Sequence, residues 1–305
     1  MLHAGYRDLA IIDAVQDVSF SALLLYPTPT PASPTAFGPY QLEVAAAAPL
    51  PAAGMFPLAV LSHGNGGSPL LYRELAVSLA RQGFIVVCPW HPGNSLGDNA
   101  LADTRANLLN RPRHIGLCLD AVLQHPVFGP RVNRDAIAGI GHSMGAYTVL
   151  CAAGGVPWTR EGERIEVRHD SRLRALVLLA PAGAFFGAPG SLDQVSQPML
   201  ILAAEHDAVT PGWQATLLRD HAPDRSRVQL RVVPGSGHFS FLGPFPPQMR
   251  HAQFAPSQDP PGFDREAFQQ QLARTVPAWL AVSLGLAERA QGLDEQVHLL
   301  ETVRG

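Results

Sequence analysis

Short, almost uninterrupted apolar runs alternate along the chain with stretches of helical periodicity, and this rhythm predicts a mostly parallel sheet with helices on both faces. The runs at residues 57–62, 84–89, 136–140, 173–180, 199–204 and 228–233 are continuously apolar or nearly so, as expected of strands covered on both sides. Residues 70–82, 106–123, 146–153, 213–220 and 265–284 lie between or after them and read as helices. Ahead of this core, residues 6–12 and 18–26 alternate with period two around a turn at Gln16 and Asp17, which predicts two antiparallel strands at an N-terminal sheet edge. Residues 27–56, rich in Pro, Ala and Thr, are expected to form an excursion without a regular element. The polar stretch 155–172 reads as an exposed insertion, 91–110 as a candidate lid, and the Pro- and Phe-loaded stretch 241–262 as a pocket wall. With 288–305 as a tail, the expectation is one α/β domain over residues 1–305.

Composition narrows the chemistry. At 47% hydrophobic and 15% charged residues the chain can bury a large core. Its net charge of −3 offers no basic field for nucleic acid or an anionic membrane, so a small-molecule substrate is expected. All 22 basic residues are Arg, which excludes a catalytic Lys or a Ser-Lys dyad. Cys88, Cys118 and Cys151 sit in apolar or helical stretches at spacings that suit neither a zinc site nor a disulfide framework. No basic segment leads into a long apolar run near residue 1, and the run 22–26 is too short to span a bilayer, so a cytoplasmic protein without stable membrane insertion is expected. The oligomeric state is not legible.

Against this background one motif carries chemistry. Gly141-His142-Ser143-Met144-Gly145 is a G-x-S-x-G that follows the apolar run 136–140 and opens a helical stretch, the setting of a nucleophile elbow. Glycines on either side let two backbones pass closely, and the Met144 amide at the helix start is a candidate oxyanion donor for Ser143. His63-Gly64-Asn65-Gly66-Gly67, after the run 57–62, is placed to supply the second donor from Asn65, with Gly66 as the alternative. His63 itself reads as a loop-holding residue. The late run 199–204 leads into Asp207, the preferred acid, with Glu205 as runner-up. Gly237-His238-Phe239 lies just beyond 228–233 and supplies the base, so the order Ser143, Asp207, His238 is that of an α/β-hydrolase triad. His142 is expected to pack beside the nucleophile. Neither metal nor cofactor is expected. Trp90, Tyr147, Phe185, Phe239 and Phe241, at strand ends or beside these residues, are candidates for the substrate pocket. Arg111, Arg113 and His114 read as a solvated surface near the entrance.

Several motifs together give a resemblance. Gly5-Tyr6-Arg7, Tyr26-Pro27-Thr28, Ser62-His63-Gly64-Asn65-Gly66-Gly67-Ser68, His91-Pro92-Gly93-Asn94, Arg111-Pro112, the 141–145 elbow, Asp207 and Gly237-His238-Phe239-Ser240-Phe241 resemble the dienelactone-hydrolase-like branch of the α/β-hydrolases, near the bacterial relatives of platelet-activating-factor acetylhydrolase. The likeness runs over residues 5–282. Dienelactone hydrolases use a cysteine nucleophile where this chain has Ser143, so the resemblance implies a serine esterase for small to medium acyl chains. Lactone hydrolysis, thioester hydrolysis and acyl transfer by the same triad are the alternatives, followed by a non-catalytic binding protein.

Overall fold

A computed structural model describes residues 1–286. Ten strands form one continuous sheet: β1 (His3–Asp13), β2 (Val18–Thr28), β3 (Ser33–Phe37), β4 (Tyr40–Ala46), β5 (Phe56–Ser62), β6 (Ile85–Pro89), β7 (Val132–His142), β8 (Ala175–Leu179), β9 (Met199–Ala204) and β10 (Val228–Val233). Their spatial order is β10-β9-β8-β7-β5-β6-β2-β1-β4-β3. The six strands from β10 to β6 are parallel, and β2 joins β6 antiparallel and continues into the β1–β2 hairpin. Residues 27–56, read as lacking regular elements, in fact carry β3 and β4. Leu42 and Val44 alternate with Gln41 and Glu43, so this hairpin buries one face and adds to β1, moving the sheet edge out to β3.

Each central strand buries both faces, so consecutive residues divide between two cores. Leu24, Leu58, Val60, Val87, Ile137, Leu176 and Ile201 face α2 (Arg105–Gln124), α3 (Met144–Ala152) and α4 (Trp213–His221). Leu23, Ala59, Leu61, Val86, Ile140, Val177 and Leu200 face α1 (Arg73–Arg81) and α5 (Arg265–Ser283). Three helix starts are legible as caps or turns: Thr104 accepts from the Asn107 amide at 3.2 Å, Asp264 accepts from the Ala267 amide at 3.0 Å, and Pro69 opens the short 3-10 turn before α1. No described helix is long and apolar enough to cross a membrane. The residues expected to form the tail lie outside the described residues.

Every loop that carries candidate chemistry leaves the carboxyl end of a parallel strand: residues 63–67 after β5, Ser143 after β7, Asp207 after β9 and His238 after β10. Ligands bind at this edge in open α/β sheets.

Candidate active site

Ser143 occupies the turn between β7 and α3 with φ 55° and ψ −119°, a conformation strained for a residue with a side chain. The flanking glycines make the turn possible. A Cβ on Gly141 would lie 2.2 Å from the Gly145 carbonyl oxygen, and one on Gly145 would lie 2.0 Å from the Ser62 carbonyl oxygen. The Ser143 amide donates to Leu179 O at 2.9 Å, tying the turn to β8.

Asp207 and His238 meet by an independent route. His238 Nδ1 lies 2.8 Å from Asp207 Oδ2, and both residues are buried. The other carboxylate oxygen accepts from the amides of Val209 at 2.8 Å and Thr210 at 2.7 Å, so the loop after β9 fixes the carboxylate plane. Burial alone would raise the Asp207 pKa, but the hydrogen bond and charge of His238 and the bonds from Thr210 outweigh it and hold the group below its usual value. Thr210 Oγ1 lies 2.9 Å from both Asp207 Oδ2 and Ala180 O, and 3.2 Å from His238 Nδ1. Sequence reasoning missed Thr210; its signal was its place three residues after Asp207, where a hydroxyl can bond back. Glu205, the alternative acid, is exposed and accepts from the Gly235 amide at 2.6 Å instead.

His142 joins the Ser143 turn to His238. The His238 carbonyl, 3.0 Å from His142 Nε2, can only accept, so that nitrogen carries the proton. Nδ1 then accepts from the Tyr72 hydroxyl at 2.8 Å, and the Tyr72 oxygen accepts from the Gly64 amide at 3.1 Å. Burial, reinforced by the neighbouring His238, lowers the His142 pKa to about 3, so the ring stays neutral. This directional chain engages Gly64. Among the described residues the amides of Asn65, Gly66 and Met144 have no acceptor within the chain. His63 holds its loop, its Nδ1 donating to Gly64 O at 2.7 Å, while burial lowers its pKa to about 3.

Two cavities flank Ser143 and share Asn65 and Val209. One, of about 400 Å³, is lined by His238, Phe239, Leu96, Leu242, Met249 and Phe254 among others; the second, of about 370 Å³, by Met144, Trp158, Arg160, Ala184, Phe185 and Gln214 among others. Both volumes suit a small-molecule site. Of the aromatic pocket candidates, Phe239 and Phe185 each line one cavity. Trp90, Tyr147 and Phe241 line neither: Trp90 donates its amide to Ser21 O beside β2, Tyr147 is buried with its hydroxyl on Leu108 O, and Phe241 packs on Phe268. Adjacency in sequence placed them near Ser143 and His238, but Tyr147 and Phe241 face the interior. The expectation for the helix-start cluster is also corrected. Arg111 and His114 are fully buried, and Arg113 pairs with buried Asp13 at 2.6 Å, because α2 begins at Arg105 and carries these residues into the molecule. No group among the described residues could hold a metal ion.

The solved structure of a ferulic acid esterase from Streptomyces cinnamoneus superposes with a TM-score of 0.72, covering 99% of this chain and 94% of that chain at 22% sequence identity. The chain has the α/β-hydrolase fold. Within this fold, residues 31–117 match the family model described as platelet-activating factor acetylhydrolase, isoform II. That span includes the 63–67 loop, Asn94 and Arg111. A comparison with curated protein sequences finds no match.

Proposed function

We propose that the protein hydrolyses carboxylic esters through an acyl-enzyme on Ser143, with His238 as general base and acid and Asp207 as the group that orients it. The observation that carries this reading is the 2.8 Å contact between His238 Nδ1 and Asp207 Oδ2, with the same histidine lining the cavity into which Ser143 opens. With Nδ1–H directed to the carboxylate, Nε2 is the basic nitrogen left for the Ser143 hydroxyl proton. The likeness to an esterase structure and the match to an acetylhydrolase family support ester hydrolysis over other acyl transfers.

In this mechanism Ser143 Oγ attacks the ester carbonyl as its proton moves to His238. Asp207 stabilises the imidazolium, and the Met144 and Asn65 amides, or Gly66 in place of Asn65, hold the oxyanion. The bond to the alcohol oxygen then breaks as His238 returns the proton to it, and water, deprotonated by the same imidazole, releases the acid from Ser143; the cavity sizes fit small to medium acyl groups. Hydrolysis of p-nitrophenyl butyrate tests the reading: the unmodified protein is expected to release nitrophenol steadily, and Ser143→Ala to reduce the rate to the buffer background. Undiminished turnover in that variant contradicts the proposal.

A further inference from the structure

We infer that the two cavities beside Ser143 divide the substrate between them, taking an ester of a bulky apolar alcohol and an acyl group that bears a hydrogen-bond acceptor. This rests on the ester-hydrolase reading and assigns each half of the substrate to a side. When the tetrahedral intermediate collapses, the bond from the carbonyl carbon to the alcohol oxygen breaks, and that oxygen takes the proton His238 received from Ser143; the acyl group stays bonded to Ser143 Oγ until water reverses the steps. The alcohol must therefore leave from the cavity that His238 lines. That cavity is walled by Tyr40, Leu71, Leu96, Phe239, Leu242 and Phe254, so an apolar alcohol fits it.

The acyl half then falls on the side of Met144, between Trp158 and Phe185. Here the wall offers donors. Gln214 Oε1 accepts from the Ala184 amide at 3.1 Å, which sets the orientation of the amide, and its Nε2 has no acceptor among the described residues. Arg160 lines the same cavity. A group such as a ring ether or hydroxyl on the acyl chain would meet these donors.

The test uses acetate, hydrocinnamate and para-methoxyhydrocinnamate, each as its methyl and its naphthyl ester, with three variants. Leu96 and Ala184 are exposed at the two cavities, so Leu96→Trp and Ala184→Trp obstruct one side each without entering the core. Ala184→Trp is expected to lower kcat/KM about tenfold for hydrocinnamoyl relative to acetyl esters and to slow deacylation, whatever the alcohol. Leu96→Trp is expected to lower the naphthyl-to-methyl preference by a similar factor and leave deacylation unchanged. Gln214→Glu keeps the acceptor for Ala184 and removes the donor, and is expected to erase a preference for the methoxy-bearing acyl group. If the two tryptophan variants exchange effects, or Gln214→Glu leaves the methoxy preference intact, the assignment is overturned while ester hydrolysis stands. If the unmodified protein cleaves no ester at all, the underlying reading fails instead.

A separate observation carries a second inference. The geometry points to Arg111 as the positioning residue that keeps the two oxyanion donors in register. Its guanidinium is fully buried and has no carboxylate partner among the described residues. Nε donates to Thr148 Oγ1 at 3.0 Å, and that hydroxyl donates to Met144 O at 2.8 Å. Nη1 donates to Asn94 Oδ1 at 2.6 Å, and Asn94 Nδ2 donates to Asn65 Oδ1 at 2.6 Å. Nη2 donates to the His63 carbonyl and, at 3.3 Å, to Ser62 Oγ. One cation thus grips the loop of Asn65 and the helix start of Met144. A buried charge without a counter-ion is costly to keep, and it is supported here entirely by groups that frame the oxyanion site.

Arg111→Lys keeps the charge but not the fork, and Thr148→Val breaks only the link toward Met144 with little change of shape. Both are expected to lower kcat about tenfold with KM within about twofold, because donor geometry matters most in the transition state. Binding of an alkylboronic acid, which forms a tetrahedral adduct, should weaken by the same factor. If both variants lose thermal stability but retain full kcat per titrated active site, Arg111 is a fold-stabilising residue and the inference is overturned.

Discussion

At the residue scale, the account turns on how a carboxylate, an imidazole and a hydroxyl are held relative to one another. Asp207 has one oxygen committed to two backbone amides, leaving the other for His238 and Thr210. Asp207→Asn is therefore expected to lower kcat by roughly 10³–10⁴, since an amide can present its NH₂ to Nδ1 and favour the wrong tautomer. Thr210→Val removes one neutral hydrogen-bonding group from the same carboxylate and should cost about tenfold, measured on the same ester. A smaller effect for Asp207→Asn than for Thr210→Val would reverse their proposed order of importance. The strand-end settings of Ser143, Asp207 and His238 were legible in the sequence because glycines and apolar runs flag them; their proposed roles are what the substitutions test. Thr210, Tyr72 and Asn94 were not legible, because their roles arise from contacts across the fold: Tyr72 meets His142 seventy positions away.

At the element scale, the elbow between β7 and α3 is the least forgiving part of the molecule. Gly145 lies against the end of β5, where a methyl group would sit 2.0 Å from the Ser62 carbonyl oxygen. Gly145→Ala should destabilise the protein by about 3 kcal/mol or more and lower its melting temperature, because backbone on both sides must separate. A melting temperature equal to that of the unmodified protein would contradict this packing. The central strands and helices were legible because β5 to β9 bury both faces and so appear as continuous apolar runs. The β3–β4 hairpin was hidden by its alanines and prolines, which carry weak strand preference; pairing with β1 supplies the order. Arg111 was misread for a related reason: a charged residue near a helix start looks solvated until the tertiary fold encloses it.

Across the whole molecule, four buried neutral histidines link the site to the fold. His63, His91, His114 and His142 all have pKa values lowered first by burial, those of His63 and His142 to about 3. In the unfolded chain the same rings titrate near 6.5, so between about pH 6.5 and 3 the unfolded state binds protons that the folded state refuses. Stability is therefore expected to rise with pH through this window, level off above it, and fall as acid is added. The lowered carboxyl of Asp13, where bonds and charge from Arg113 and the amides of Val15 and Gln16 overcome burial, acts in the same direction, its contribution disappearing as pH drops through its folded value. Denaturant melts from pH 4 to 8 should show the slope, and a flat profile below 6.5 would contradict neutral burial of these rings. The central claim, that distant segments of the sheet edge combine to make one serine reactive, is tested most directly by labelling with a fluorophosphonate and mapping the adduct by peptide mass spectrometry. The account predicts a single adduct on Ser143, abolished by Ser143→Ala and greatly slowed by His238→Ala; an adduct on another serine, or equal labelling without His238, would contradict it.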